Sequence, residues 1–460
     1  MQNWSPDLAA GAGAKYLAIA SALARDIEAG VLRPGDRLPP QRALADRLAI
    51  DLTTVTKAYN EVRRLGLIEG GGRRGSFVRA AAGGQAESTG AVLTDTGMNL
   101  PPEPLGGTLA ARMRAGFADL LTGTGAAARL QYQPSGGAQA DRAAAAAWLG
   151  ARGIETSEDQ LVVASGGQNA LHAAIGAALA PGDAIATAAY AYPGLLALAR
   201  RHGLAVVPIA SDEQGINPDA LAAACAVGDL RALYLVATND NPTAATMDAE
   251  RRRAIAEVAR RHGLAILEDD AYGLLPAAPL PPVAAFAPER SWHIASLSKI
   301  VSPALRIAYL RAPGVREALR LGRDLHETAV MAPPLNAALA SLWLRDGSLA
   351  ALAGEVRAEA VARQAIAAAI LHDLPYATHP EGYHLWLPLP AGCAPAAIVS
   401  ALRPAGLSVV ASDAFAVDPA TAAPALRISI GGGISRERLG RTLHLLHAMI
   451  GGEARGEAIV

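Results

Sequence analysis

A chain of 460 residues with 51% hydrophobic and 18% charged side chains can bury a large core, which excludes global disorder. Two cysteines, Cys225 and Cys393, exclude a disulfide framework. The net charge of −1 is unevenly divided: residues 1–80 carry 12 Lys/Arg against 8 Asp/Glu, and the remainder 29 against 34, so a polyanionic partner fits only the head.

The opening "MQNWSPDLAAGAGAKY" lacks the basic start and apolar run of a signal peptide. The alanine-rich stretches are broken by Arg, Asp, Gly or Pro too often to span a bilayer. The expectation is a cytoplasmic protein with no membrane partner.

The first elements form a head over residues 12–80. "YLAIASALARDIEAG" sets Leu17, Ile19, Leu23 and Ile27 on one face of a helix. "QRALADRLAI" reads as a short second helix, and "DLTTVTKAYNEVRRLGLIE" as a third with Asp51 or Thr53 as N-cap. "GGGRRGSFVRA" reads as a hairpin tipped by arginines. Three helices and a basic hairpin make a winged helix-turn-helix, whose third helix enters the major groove of double-stranded DNA. Thr54, Thr56 and Lys57 then face the bases, Arg42 and Arg47 hold backbone phosphates, and Arg73 and Arg74 tip the wing. The competing reading is a plain three-helix packing module with solvated arginines.

Residues 81–97, "AAGGQAESTGAVLTDTG", are small and polar without apolar periodicity, as in a linker. From residue 98 to 460 short apolar runs alternate with amphipathic ones. "LVVAS", "AIATA", "LAVVPI", "ALYLVAT", "LAILED", "WHIASLS" and "RIAYLRA" read as strands, with helices such as "NALHAAIGAAL" and "AERRRAIAEVARRHG" between several of them. That order predicts an α/β domain with a mainly parallel sheet covered on both faces. From about residue 335 the chain reads as helical and then ends in "GYHLWLPLP", "LSVVAS" and "ALRISIGG", a smaller α+β lobe.

Only three lysines occur, Lys15, Lys57 and Lys299; beyond Lys57 every other basic side chain of the Lys/Arg class is arginine. Arginine does not lose its proton in a protein, so an amine that must attack a carbonyl carbon has to be lysine. The competing reading of Lys299 is a chance surface lysine. Against it, "ILEDDAYGLL" puts Asp269 at a strand end, "TNDNPT" ends another strand near Asn241, and "VVASGGQNALHAA" makes a strand, a Gly-Gly turn and a helix N-terminus able to hold a phosphate. An amine, a carboxylate and a phosphate cradle together fit pyridoxal 5′-phosphate (PLP).

These motifs carry a resemblance. "GVLRPGDRLPPQRALADRLAIDLTTVTKAYNEVRRLGLIEGGGRRGSFV" closely resembles the DNA-binding domain of the GntR family of bacterial regulators. Asp51 and Leu52 stand where those proteins often carry Ser and a basic residue. The ordered set Gly-Gly-Gln, Tyr-Pro, Asn-Pro, Asp-x-x-Tyr, Ser-x-Ser-Lys, Arg and a late Arg resembles fold-type-I aminotransferases. Head and body together, about residues 15–450, resemble the MocR group of GntR regulators.

The resemblance implies a role for each matched position. Lys299 forms the internal aldimine, and Asp269, chosen over Asp270 because Asp-x-x-Tyr then lands on Tyr272, pairs with the ring nitrogen. Asn241 and Tyr272 bond the ring hydroxyl, and Tyr192 stacks on the ring. Gly167, Gln168, Ser296, Ser298 and Arg306 hold the phosphate, with Tyr132 reaching the phosphate of a partner subunit. Arg427 clamps a ligand carboxylate. Two positions depart from the pattern: Gly167 replaces a hydroxyl residue, and Ala244 stands where glycine is common. The implied protein is a homodimeric, PLP-dependent transcription regulator that senses a small amino compound through Lys299. The alternative is a working aminotransferase with an appended DNA-binding head. Effector, operator and the sign of regulation are not encoded in these motifs.

Overall fold

The computed structural model describes residues 4–6, 15–28, 31–32, 35–64, 67–70, 75–78, 97–104, 107–390 and 392–454. The chain divides into two compact units, Met1–Thr94 and Asp95–Val460. Arg73, Arg74 and most of the stretch read as a linker lie outside the described residues.

The head contains helices Lys15–Glu28, Gln41–Leu48 and Leu52–Arg64, followed by an antiparallel pair Ile68–Gly70 and Ser76–Val78 in which Ile68 faces Val78. Ile19, Leu23, Leu44, Val55, Tyr59, Val62, Ile68 and Val78 form its buried core. Both candidates for the third helix's cap take part. Asp51 Oδ1 accepts from Thr53 N at 2.7 Å and from Thr53 Oγ1 at 2.5 Å, so Asp51 is the acceptor and Thr53 the donor. The result is a winged helix-turn-helix.

The body is built on a seven-stranded sheet in the order Leu161–Ala164, Ala308–Arg311, Ser291–Ser296, Ala265–Asp269, Leu230–Leu235, Ala184–Ala188 and Ala205–Ile209. Ala308–Arg311 runs antiparallel to both neighbours, and the other neighbouring pairs are parallel. Strands Leu161–Ala164 and Ser291–Ser296 are buried at every position, and Leu230–Leu235 at all but Arg231, which explains why their sequences are near-continuous apolar runs instead of alternating ones. All strands but Ala308–Arg311 share one direction, so the chain leaves them along a single edge. Helix Gly167–Ala178, Tyr192, Asn241, Asp269 and Lys299 all follow strand ends on that edge. This is the fold-type-I arrangement, with one reversed strand in a mainly parallel sheet.

The smaller lobe has a four-stranded antiparallel sheet in the order Ala377–Thr378, His384–Pro388, Ala425–Ser429, Ser408–Ala411. Helices Pro334–Asp346 and Ser348–Ile370 precede it in the chain, and Arg436–Ala454 follows. Helix Val315–Ala329 is an addition to the sequence reading: Ala318, Leu321, Gly322 and Leu325 bury one face while the other stays polar. Among the described residues no helix is long and apolar enough to cross a membrane.

One buried cation fixes the edge where the strands end. Arg252, fully buried, donates to the carbonyls of Met247, Ala237 and Pro281 at 3.0 Å and to Thr238 Oγ1 at 2.9 Å. It thereby pins the loop between residues 237 and 247, which carries Asn241.

Candidate cofactor site

A cavity of about 340 Å³ opens at the strand-end edge, lined by ten residues that the sequence singles out: Gly167, Gln168, Tyr192, Asn241, Asp269, Tyr272, Ser296, Ser298, Lys299 and Arg306. Lys299 lies in the turn after strand Ser291–Ser296, and Tyr383 Oη donates to its carbonyl at 2.7 Å. Its Nζ donates to the Asn99 carbonyl at 2.5 Å. Burial first, then the nearby Arg427 guanidinium, lowers the amine's pKa to about 8.

The adjacent carboxylates separate by direction. Asp269 ends its strand, faces the cavity and accepts from Tyr234 Oη at 3.1 Å. Burial pushes its pKa up to about 6. Asp270 faces away and pairs with Arg152 and with His293 Nε2. Burial raises Asp270, but the Arg152 and His293 contacts overcome that and hold it well below the usual carboxylate range. Glu268 points elsewhere, accepting from Val283 N and Ala284 N at 2.8 Å each.

At the opposite end of the cavity the Gly-Gly turn is sterically required. Gly166 has φ +88° and ψ 170°, and a Cβ there would stand 2.8 Å from Arg306 Cζ. Its absence lets the Arg306 guanidinium lie against the turn, with Nη2 donating to Ser165 O at 2.9 Å. The N-terminus of helix Gly167–Ala178 opens beside Ser296 and Ser298. Tyr192, at the N-terminus of helix Pro193–His202, is pushed up to about 12 by burial. Gly194 makes room for its ring, and Gln168 Nε2 donates to Gly194 O at 3.1 Å.

The remaining candidates lie outside the cavity lining. Arg427 is buried on strand Ala425–Ser429 and donates from Nη2 to Gly97 O at 2.5 Å. Tyr132 is 82% exposed on the surface. In the head, Arg42 and Lys57 are exposed and Thr54 is half-buried. Thr56 Oγ1 donates to Gln41 Oε1 at 2.9 Å, and Arg47 donates to Trp4 O at 3.1 Å. Sequence reasoning missed Met98, Leu100, Tyr234, Val236, Ala271 and Pro303 in the lining, and behind it Asn99 and His384.

Do these residues fit PLP? Ser298 Oγ, Asn241 Oδ1 and Gln168 Oε1 are buried without a hydrogen-bond partner among the described residues. A bound phosphate would accept from the Ser298 hydroxyl, whereas the two amide oxygens are acceptors and call for an N–H or O–H of a ligand or of water. The donor set also matches: an amine with a lowered pKa, a buried carboxylate, a helix N-terminus and an arginine. The residues fit.

Comparison with known proteins agrees. Residues 122–446 match the family described as aminotransferase class I and II, and residues 15–78 match bacterial regulatory proteins of the gntR family. The chain is 29% identical to the uncharacterized HTH-type transcriptional regulator YdeF of Bacillus subtilis, covering 97% of each. It is 27% identical to the vitamin B6 salvage pathway transcriptional repressor PtsJ of Salmonella typhimurium, covering 81% of this chain and 84% of that one. The crystal structure of LysN, an alpha-aminoadipate aminotransferase from Thermus thermophilus, superposes with a TM-score of 0.70 over 78% of this chain and 92% of that one, at 23% identity. The chain belongs to the aminotransferase class I and II family and carries a gntR-type head, the two-part plan of the MocR regulators.

Proposed function

We propose that this protein is a cytoplasmic, homodimeric transcription regulator that binds DNA through its head and senses a small amino compound through PLP in its body. The observation that carries the reading is the convergence of Lys299, Asp269, Asn241, Tyr272, Ser296, Ser298 and Arg306 on one cavity, in a chain that also contains a winged helix-turn-helix. PtsJ, a similar chain by sequence, is named as a repressor.

When bound, PLP supplies an aldehyde that condenses with amines and a ring that withdraws electrons. The protein's groups do the rest. Lys299 offers an amine that is partly neutral near pH 7, and Asp269 offers its carboxylate to the ring nitrogen. Asn241 and Tyr272 hold the ring oxygen. The Gly167 turn, Gln168, Ser296, Ser298 and Arg306 would hold the phosphate, and Tyr192 would stack on the ring. Arg427, outside the cavity lining and bonded through Nη2 to Gly97 O, would take the ligand's carboxylate in a two-pronged pair by giving up that contact. Met98, Leu100, Val236 and Ala271 supply apolar lining, which favours a ligand with a neutral side chain. The exposed Tyr132 suits a residue that completes the site of a second copy. Thr54, Thr56 and Lys57 would meet bases, and Arg42, Arg47, Arg73 and Arg74 the phosphates.

The test is DNA footprinting upstream of neighbouring genes with the PLP-loaded protein and a panel of amino acids. A ligand that moves the cofactor's visible band and changes the footprint supports the sensor. The second reading, turnover as an aminotransferase, is kept open by the full set of groups in the cavity. Sustained oxo-acid release with a 2-oxo-acid acceptor, and no footprint, would favour it.

A further inference from the structure

The cavity residue Tyr272 is held from behind by a chain of polar groups whose hydrogen directions are fixed one after another. The chain starts at the backbone carbonyl of Asp240, which can only accept. His384 Nε2 lies 2.9 Å from it, so that nitrogen carries the hydrogen. His384 is fully buried, and burial pushes its pKa down to about 3, so the ring is neutral. Its Nδ1 is therefore an acceptor. Asn99 places a side-chain atom 3.1 Å from that nitrogen, and the atom has to be the amide nitrogen Nδ2. With the amide so placed, Ser429 Oγ, which can donate or accept, donates to Asn99 Oδ1 at 2.7 Å on the other side. The second hydrogen of Nδ2 points at Tyr272 Oη, 2.9 Å away. Tyr272 Oη thus accepts there, and its own proton is turned elsewhere. Among the described residues Tyr272 Oη makes no other hydrogen bond, and Tyr272 lines the cavity.

We propose that Asn99 and His384 are positioning residues that aim the Tyr272 hydroxyl proton into the cavity, at the ring oxygen of PLP. This rests on the cofactor reading above. The relay begins at Asp240, the residue before Asn241, so one loop orients both donors to that oxygen. It also gives Asn99, 2% exposed, two contacts with the site: its side chain sets Tyr272, and its carbonyl receives Lys299 Nζ.

A hydrogen bond donated to the ring oxygen favours its charged form, so losing the bond raises the pH at which the bound cofactor's visible band changes. For a bond to a charged group the expected shift is about one to two pH units, with about a tenfold or greater loss of PLP affinity. The experiment loads the full chain with PLP and titrates the visible band in wild type, Asn99→Asp, Asn99→Ala, Tyr272→Phe and Asn99→Asp/Tyr272→Phe. Asp has at most one donor where Asn has two, so it draws the Tyr272 proton back towards itself. Asn99→Asp should raise the midpoint nearly as far as Tyr272→Phe, and Asn99→Ala, which only frees the hydroxyl to rotate, by less. In the Tyr272→Phe background Asn99→Asp should add nothing. An unchanged midpoint in Asn99→Asp, a larger effect of alanine than of aspartate, or a full additional shift in the double variant would each overturn the relay. A wild type without a visible band would instead overturn the cofactor reading on which it rests.

Discussion

Lys299 is expected to capture PLP as an amine that is already substantially neutral. Its pKa falls from 10.5 to about 8 because burial penalises the ammonium, with Arg427 adding repulsion and Asp269 opposing it. At about pH 7.4 such an amine is neutral in about one molecule in five, against about one in a thousand for an ordinary lysine, a gain of about two-hundredfold. The assay is the rate of PLP capture by cofactor-free protein across about pH 6 to 10, each rate divided by that of a free lysine derivative so that PLP's own ionisation cancels. The ratio should stay level up to about pH 8 and then fall about tenfold per pH unit towards 10.5, because the free amine goes on gaining neutral fraction after Lys299 has stopped, and Arg427→Met should move that break upward. The same shift has a stability consequence. The folded pKa lies below the unfolded one, so the folded state carries the full penalty below pH 8 and loses it as pH rises towards 10.5. Lys299→Met should therefore stabilise the cofactor-free protein at neutral pH by up to about 3 kcal/mol, read by denaturant titration. A capture profile that climbs to pH 10 in parallel with the free amine would refute the reasoning.

Gly166→Ala forces a side chain into backbone space used almost only by glycine, at about 1–3 kcal/mol, and displaces Arg306. PLP affinity should drop while the affinity for phosphate-free pyridoxal stays the same, measured by absorbance titration. Asp269, with a pKa near 6 in the cofactor-free site, protonates as pH falls through that value. PLP affinity should weaken in step, and Asp269→Asn should remove that pH dependence while weakening binding about tenfold or more. In the head, Asp51→Asn should keep the helix cap, since asparagine caps as well as aspartate. By removing a carboxylate near the DNA backbone it should also strengthen non-specific DNA binding, whereas Asp51→Ala should lower the head's thermal midpoint.

Much of the fold could be read from the chain because burial on both sheet faces demands continuous apolar runs. "LVVAS" and "RIAYLRA" each contain one of the observed strands, and "WHIASLS" covers all but the first residue of Ser291–Ser296. The reversed direction of Ala308–Arg311 could not be read, since a strand buried on both faces has the same apolar run whichever way it points. Helix Val315–Ala329 was also missed, although its periodicity is strong; its surface is arginine-rich, and its apolar positions are few and spaced. In the site, Lys299, Asp269, Asn241 and the Gly-Gly turn were legible from their own chemistry, since only lysine can supply the amine and glycine suits the positive φ at Gly166, while the other cavity residues were legible through the family resemblance.

The residues that stayed hidden differ in kind. Asn99 stands 173 positions from Tyr272 and 285 from His384, so no local period or motif links them. Their function also restricts residue type only weakly. A group touching a cofactor must have one chemistry, whereas a group that turns a hydroxyl needs only a donor in the right place, and several side chains can provide one. Asn99 falls in "MNLPPEPL", which reads as an irregular start to the body, and His384 in "GYHLWLPLP", which reads as an ordinary strand. Alternation sets His384 on the same face as Trp386 and Pro388, which does not mark it as buried, and it leaves open which polar atom meets it. That pairing is set by how strand His384–Pro388 of the small lobe is placed beside the loop carrying Asp240.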